Sequence, residues 1–133
     1  LVKTLDARSL DTIFLLSPTT TDERLRQIAE LGRGYLYYVS LRGVTGASNI
    51  DFSDVAARVR HVREFTRLPV GVGFGIRDVA SAKAIAASSD AVIIGSALIQ
   101  VIEKAPRDRV TDRVAAFLAP IREALDNLSA VKA

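Results

Sequence analysis

Four short apolar runs constrain the fold of this chain more than any other feature of its 133 residues. They span residues 11–16, 34–40, 69–74 and 90–95, and each is too short for a typical helix. The runs are apolar throughout, without polar alternation, which is typical of parallel strands that helices cover on both faces. They therefore predict four buried parallel strands.

Helical patterns fill the intervals between these runs. Thr21 is the expected N-cap of the first helix, and Gly32 is expected to end it. The last helix contains Pro120, which should kink it or split it in two. The predicted helices lie at about 22–31, 54–65, 78–87, 96–104 and 107–128. The order βαβαβαβα predicts one α/β domain over residues 1–133, either doubly wound or part of a (β/α)8 barrel.

The number of strands raises a problem of closure. An eight-stranded barrel needs about 250 residues, whereas this chain supplies only four strand patterns. The two outer strands would expose unpaired backbone groups on an apolar sheet, and proteins usually cover such edges. We therefore expect a partner half, a homodimer or a truncated chain.

Composition argues against several classes of function. The net charge is +3, but Lys and Arg alternate with Asp and Glu and only 6% of residues are aromatic, so we expect no nucleic-acid partner. There is no cysteine and His61 is the single histidine, which excludes disulfides and a Cys/His zinc site, and we expect no metal. No segment approaches the roughly 20 apolar residues of a membrane span, and no signal-peptide pattern is present. We expect a cytoplasmic protein.

The residues that follow the third and fourth runs form the strongest candidate site. Parallel α/β folds bind ligands at the carboxyl ends of their strands, where Gly73, Gly75 and Gly95 lie and Ser96 begins a helix. Glycines let the backbone approach a ligand, and the free N–H groups of a helix start attract an anion. The pattern predicts a phosphate site. The alternative is that the glycines only make tight turns and that Ser96 only caps a helix.

Groups able to transfer protons are missing from the predicted strand ends. Acid–base chemistry needs a positioned Glu, Asp, His or Lys, and none follows a strand in an obvious position. Asp11 and Asp90 lie at the opposite ends of their strands, and Asp78 is expected at a helix start. The chain is therefore predicted to hold a phosphate without performing proton transfer itself.

The long loop containing residues 43–46 (GVTG) could close over a ligand as a lid.

Four segments resemble, in order and spacing, the second half of tryptophan synthase α chains: DTIFLLSPTTTDERL, GRGYLYYVSLRGVTG, PVGVGFGIRD and DAVIIGSALI. The resemblance implies four βα units of a TIM (β/α)8 barrel, that is, a half-barrel with a long C-terminal helix. It implies a lyase of tryptophan biosynthesis that cleaves indole-3-glycerol phosphate to indole and glyceraldehyde 3-phosphate. In that family the indole passes to a β subunit, which is the implied partner and would carry PLP, so no cofactor is expected in this chain.

The resemblance also implies roles for individual residues. Thr45 matches the lid threonine that supports the family's catalytic aspartate. The catalytic glutamate and aspartate themselves come from the first half of the barrel, so we expect the isolated chain to be inactive. The implied substrate-binding residues are Leu15, Tyr37, Phe74 and Ile93, and the implied phosphate-binding residues are Gly46, Gly75, Gly95 and Ser96.

Two alternatives to the lyase remain. A non-catalytic half-barrel could self-associate into an eight-stranded assembly and at most bind a phosphate-bearing small molecule. The other is a different phosphate-handling barrel enzyme, such as an epimerase or isomerase. The tyrosine-rich strand and the GVTG loop that follows it argue against this alternative, because phosphate binding alone requires neither.

Overall fold

The computed structural model describes residues 2–39, 52–73 and 75–132. Within these ranges the strands are β1 (Phe14–Leu16), β2 (Leu36–Val39), β3 (Val70–Gly73) and β4 (Ala91–Ile93). They form one sheet in chain order, and each neighbouring pair is parallel. A doubly wound sheet would reverse its strand order at a switch point, whereas consecutive order is that of a barrel. The predicted fold class, four βα units of a (β/α)8 barrel, is confirmed.

Helices follow the strands in the expected alternation. They are α1 (Val2–Asp6), α2 (Asp22–Leu31), α3 (Phe52–Arg63), α4 (Val79–Ala86), α5 (Ser96–Lys104) and α6 (Val110–Lys132), with a short 3-10 turn at Arg107–Arg109. The bounds of α2 and α5 agree with prediction, whereas the short α1 was not predicted. Thr21 caps α2 by accepting a hydrogen bond from the Arg24 backbone N–H at 3.3 Å, and Gly32 ends that helix as predicted.

Pro120 does not split the last helix. It lies inside α6, which continues from Val110 to Lys132, so of the two predicted outcomes, a kink or a split, the split is wrong. Proline removes one backbone N–H from the helix ladder, which leaves the carbonyl of Ala116 without its usual donor. Ala116 and Pro120 are exposed, so water can solvate that carbonyl, while the adjacent Ile121 is buried in the core. Tertiary packing of the apolar stripe therefore outweighs the local cost.

One face of the sheet carries the hydrophobic core. Alternate strand residues point to this face and are almost fully buried, and the inner sides of α2, α3, α4 and α6 cover them. Each fully buried Leu or Val side chain contributes about 1.5–3 kcal/mol. The core residues are Leu16, Leu36, Tyr38, Val70 and Val72 from the strands, with Leu25, Ile28, Val55, Val59, Val62, Ala82, Ile85 and Ile121 from the helices and Ile76 from the turn after β3.

The opposite face of the sheet, which we call the open face, is the one that would face the interior of a barrel. Leu15, Tyr37 and Gly71 are register partners and so share this face. Leu15 is 64% exposed and Tyr35 is 38% exposed, whereas Leu16 on the other face is 1% exposed. Within the described part of the chain, helices therefore cover only one face of the sheet.

His61 links α3 to α2 on the outer surface. Its Nε2 lies 2.8 Å from Asp22 Oδ1, and its Nδ1 lies 3.2 Å from Glu64 Oε2. The hydrogen bond to Asp22 raises the pKa of His61, and the same bond lowers the pKa of Asp22. Arg58 is the nearby cation that opposes the rise at His61. The single histidine is thus a surface residue, as predicted, that joins two helices.

The His61–Asp22 pair should make stability depend on pH. A raised His61 pKa stabilises the fold fully below about pH 6.5 and loses its effect as pH rises through the raised value. The lowered Asp22 pKa stabilises above about pH 3.9 and loses its effect on acidification. We expect His61→Gln to lower the melting temperature more at about pH 5.5 than at about pH 8.5. In an Asp22→Asn background that difference should shrink but not vanish, because Glu64 also raises the His61 pKa. An equal loss at both pH values in the otherwise wild-type chain would contradict the assignment.

Candidate functional site

A cavity of about 410 Å³ lies at the carboxyl ends of β2, β3 and β4. It brings together three consecutive βα units, because parallel strands end at the same edge of a sheet. The described residues that line it are Tyr37 and Val39 from β2, Gly73, Gly75, Ile76 and Arg77 from the end of β3 and the turn that follows, and Ile93, Gly95, Ser96, Ala97 and Gln100 from β4 and α5.

The floor of the cavity depends on Tyr37 lying over Gly73. A Cβ atom added to Gly73 would stand 2.5 Å from Tyr37 Oη and 2.7 Å from its Cε2, so the ring would have to shift. Gly73 is therefore needed for close approach of the ring. The ring in turn forms part of the cavity wall on the open face.

The turn after β3 is set by Gly75 and by the start of α4. Gly75 has a φ of +65°, a left-handed conformation that favours glycine. Asp78 caps α4: its Oδ1 accepts from the Ser81 backbone N–H at 2.8 Å and from the Ser81 hydroxyl at 2.7 Å. The Ser81 hydroxyl contact, followed by the backbone contact, lowers the pKa of Asp78. Asp78 therefore has the structural role predicted for it, and its carboxylate is held at the start of α4.

The amino end of α5 opens onto the cavity without a side-chain cap. Its N-cap residue is Gly95, which has no side chain to accept from the first N–H groups of the helix, whereas α2 and α4 are capped by Thr21 and Asp78. A Cβ added to Gly95 would meet nothing within 4 Å. Glycine at this position leaves space and exposes N–H donors beside the cavity.

The structure brings five of the predicted site residues together. Tyr37, Gly75, Ile93, Gly95 and Ser96 all line the cavity. Leu15 lies on the same face of the sheet as Tyr37 but is not among the lining residues, because β1 is one strand further away. Thr45, Gly46 and Phe74 lie outside the described residues, as does the predicted lid at residues 43–46.

Sequence reasoning missed two polar residues that line the cavity, Arg77 and Gln100. Arg77 lies two positions after Gly75, at a strand end, where a cation is a signal for an anion site. Gln100 lies one helical turn after Ser96, and this spacing of four residues places two side chains on one face of a helix. Both residues are therefore recognisable in the sequence, Arg77 by its place after a strand and Gln100 by its spacing from Ser96.

The described lining of the cavity combines apolar side chains, polar side chains and one charged side chain. Among its described lining residues, no side chain is a carboxylate, an imidazole or an amine, and the single charged group is the Arg77 guanidinium.

No group of three His, Cys, Asp or Glu residues able to hold a metal occurs in the described ranges. In the same ranges, no helix combines the length and apolar character needed to cross a membrane.

Four consecutive parallel βα units with a cavity at the strand carboxyl ends define half of a (β/α)8 barrel. The family model described as tryptophan synthase alpha chain matches residues 1–126, and the chain belongs to that family. It is 57% identical over 123 residues to the tryptophan synthase alpha chain of Janthinobacterium sp. (strain Marseille), covering 92% of this chain and 46% of the relative. The corresponding protein of Herminiimonas arsenicoxydans is 56% identical over 123 residues, with the same coverage of 92% and 46%.

Solved structures agree with the sequence relatives. The tryptophan synthase subunit alpha from Legionella pneumophila str. Paris superposes with a TM-score of 0.82 at 34% identity, over 95% of this chain and 46% of that chain. A tryptophan synthase from M. tuberculosis gives 0.76 at 30% identity, over 93% of this chain and 44% of that chain. The chain thus spans about half the length of the relatives it matches.

The contact between Tyr37 and Gly73 can be tested by a double-mutant cycle. Gly73→Ala should push the Tyr37 ring away and lower the free energy of unfolding by about 1–3 kcal/mol, because the added methyl group has no room. In a Tyr37→Ala background the same substitution should cost much less. Chemical denaturation of the four proteins measures both effects. Equal costs in the two backgrounds would show that the ring does not depend on Gly73.

Proposed function

We propose that this chain supplies the phosphate-binding half of a tryptophan synthase α-type lyase, and that its cavity binds indole-3-glycerol phosphate. The observation that supports this most directly is the meeting of Gly75, Gly95 and Ser96 beside the uncapped start of α5. A phosphate group needs several hydrogen-bond donors in a small space, and backbone N–H groups at a helix start are such donors.

The organic part of the substrate would extend toward the open face. Tyr37 and Ile93 line the cavity beside the proposed phosphate position, and they offer apolar surface to an indole ring. Leu15, one strand further away on the same face, is 64% exposed and so is available to extend this wall. In this proposal Thr45, Gly46 and Phe74 complete the site from the segments outside the described residues.

The proposed reaction explains why the chain should need another half. Cleavage of indole-3-glycerol phosphate to indole and glyceraldehyde 3-phosphate adds a proton to the indole ring and removes one from a glycerol hydroxyl as the carbon–carbon bond breaks. These steps require an acid and a base. The described lining residues include no carboxylate, imidazole or amine for these roles. We therefore propose that both come from the other half of the barrel, that the isolated chain is inactive, and that the step itself uses no cofactor.

The proposed partner of the complete α chain is a tryptophan synthase β subunit, which would carry PLP and receive the indole. This rests on membership of the family and on the relatives whose structures are those of tryptophan synthase.

A second candidate function is a self-associating scaffold, and the open face is the observation that favours it. Leu15 and Tyr35 are exposed there, and Ile99 and Ile102 are exposed on α5 beside the edge strand β4. Pairing of β4 with β1 of a second copy, twice, would close eight parallel strands and cover these side chains. The same surfaces fit the missing half of a family barrel, so the two candidates compete for one interface.

The phosphate site can be tested with inorganic phosphate by isothermal titration calorimetry of the full chain. Ser96→Asp should weaken binding about tenfold or more, because it places a negative charge beside the anion. Gly95→Ala should also weaken binding. Its methyl group would have no protein atom within 4 Å, and in this proposal it would occupy space that the phosphate uses.

The matched control is Thr111→Asp, which adds the same charge in α6, beyond the far end of α5. It should leave phosphate binding unchanged. Unaltered affinity in Ser96→Asp, or no detectable binding by the wild-type chain, would exclude the proposed site.

Assembly with the other half is tested by mixing the chain with the first half of the Janthinobacterium relative. We expect a one-to-one complex by light scattering and formation of indole from indole-3-glycerol phosphate, with neither half active alone. The Ser96→Asp chain should assemble equally well but produce less indole. A stable dimer of this chain that excludes the added half would instead support the scaffold.

A further inference from the structure

The proposed phosphate site has donors but needs positive charge. A phosphate monoester carries about −1.5 to −2 charges at neutral pH. The N–H groups at the start of α5 supply about half a unit charge, and the effect falls off within the first turn. A cationic side chain that faces the same space would therefore contribute substantially to affinity.

Arg77 is the single charged residue among the described residues that line the cavity. It lines the same cavity as Gly95 and Ser96, so a residue of the turn after β3 and the N–H groups at the start of α5 border one space. An arginine side chain offers several N–H donors in a planar fork that matches phosphate oxygens.

The backbone of Arg77 is fixed while its side chain is exposed. Its N–H donates to the Ser81 hydroxyl at 3.2 Å, which ties the residue to the start of α4. The adjacent carboxylate of Asp78 is engaged by Ser81, at 2.7 Å from the hydroxyl and 2.8 Å from the backbone N–H. Among the ion pairs formed by the described residues, none involves Arg77. The Arg77 charge also helps to lower the pKa of Asp78, but no ion pair holds its guanidinium there, so its N–H donors can bind a ligand.

We propose that Arg77 is a phosphate-binding residue that supplies the charge of this site. The inference rests on the proposed function, since it adds a residue to the same phosphate site. It also gives the site a preference: a dianionic phosphate ester binds well, whereas the same compound without its phosphate gains nothing from Arg77.

The test is titration of inorganic phosphate into the full chain and three variants. Arg77→Gln should weaken binding about fivefold, a modest factor because the side chain is exposed to solvent. Arg77→Lys should bind with an affinity between those of the wild type and Arg77→Gln, because it keeps the charge but loses the planar fork of donors. The difference between wild type and Arg77→Gln should shrink as salt rises from about 0.05 to 0.5 M.

Arg67 provides the matched control, because it precedes β3 whereas Arg77 follows it, at the opposite end of the same strand. Arg67→Gln removes the same charge and should leave binding unchanged. Equal weakening in both Gln variants, or wild-type affinity in Arg77→Gln, would overturn the inference and leave the phosphate site standing. Absence of binding by the wild-type chain would overturn the proposed function and the inference together. Circular dichroism and melting temperatures establish that all variants fold.

Discussion

Burial of one face of a parallel sheet is the constraint on which the rest of this structure depends. Leu16, Leu36, Tyr38, Val70 and Val72 pack under the helices, and each is at most 3% exposed. This packing holds the strands in consecutive parallel order, so their carboxyl ends meet at one edge. The turns that carry Gly75 and Gly95 adjoin for this reason alone. The candidate site is thus a consequence of core packing some distance beneath it.

The same constraint leaves the other face of the sheet open. Its residues combine bulk at Leu15 and Tyr37 with the absence of side chains at Gly71 and Gly73, as expected where strands converge on a barrel interior. Relatives of this family are about twice as long as the matched region. In the function proposed above, the surface that would receive the other half and the surface that would receive the substrate are continuous, so assembly and binding are coupled through Tyr37.

Charged residues serve two distinct purposes in this chain. At the amino ends of the strands, Asp90 accepts from Arg63 and from the Val70 backbone N–H, both at 2.8 Å, and joins α3 to β3. His61 and Asp22 similarly join two helices. These pairs use their charge within the protein. At the carboxyl ends, Asp78 caps α4, and Arg77 lines the cavity and takes part in none of the ion pairs of the described residues. The proposed anion site requires a positive charge at the carboxyl ends of the strands, and Arg77 supplies it there.

The sequence by itself determined the four parallel strands, the cap at Thr21, the place of Asp78 at a helix start and the glycines at two strand ends, because apolar runs, helix starts and turns are local. Tertiary structure decided the rest. Pro120 remains in one helix because core packing outweighs a local cost. Gly73 is required by Tyr37, more than 30 residues away in the sequence, and Arg77 reaches the cavity only because β3 and β4 are neighbours. Such pairings depend on which strands adjoin, and no local pattern encodes that.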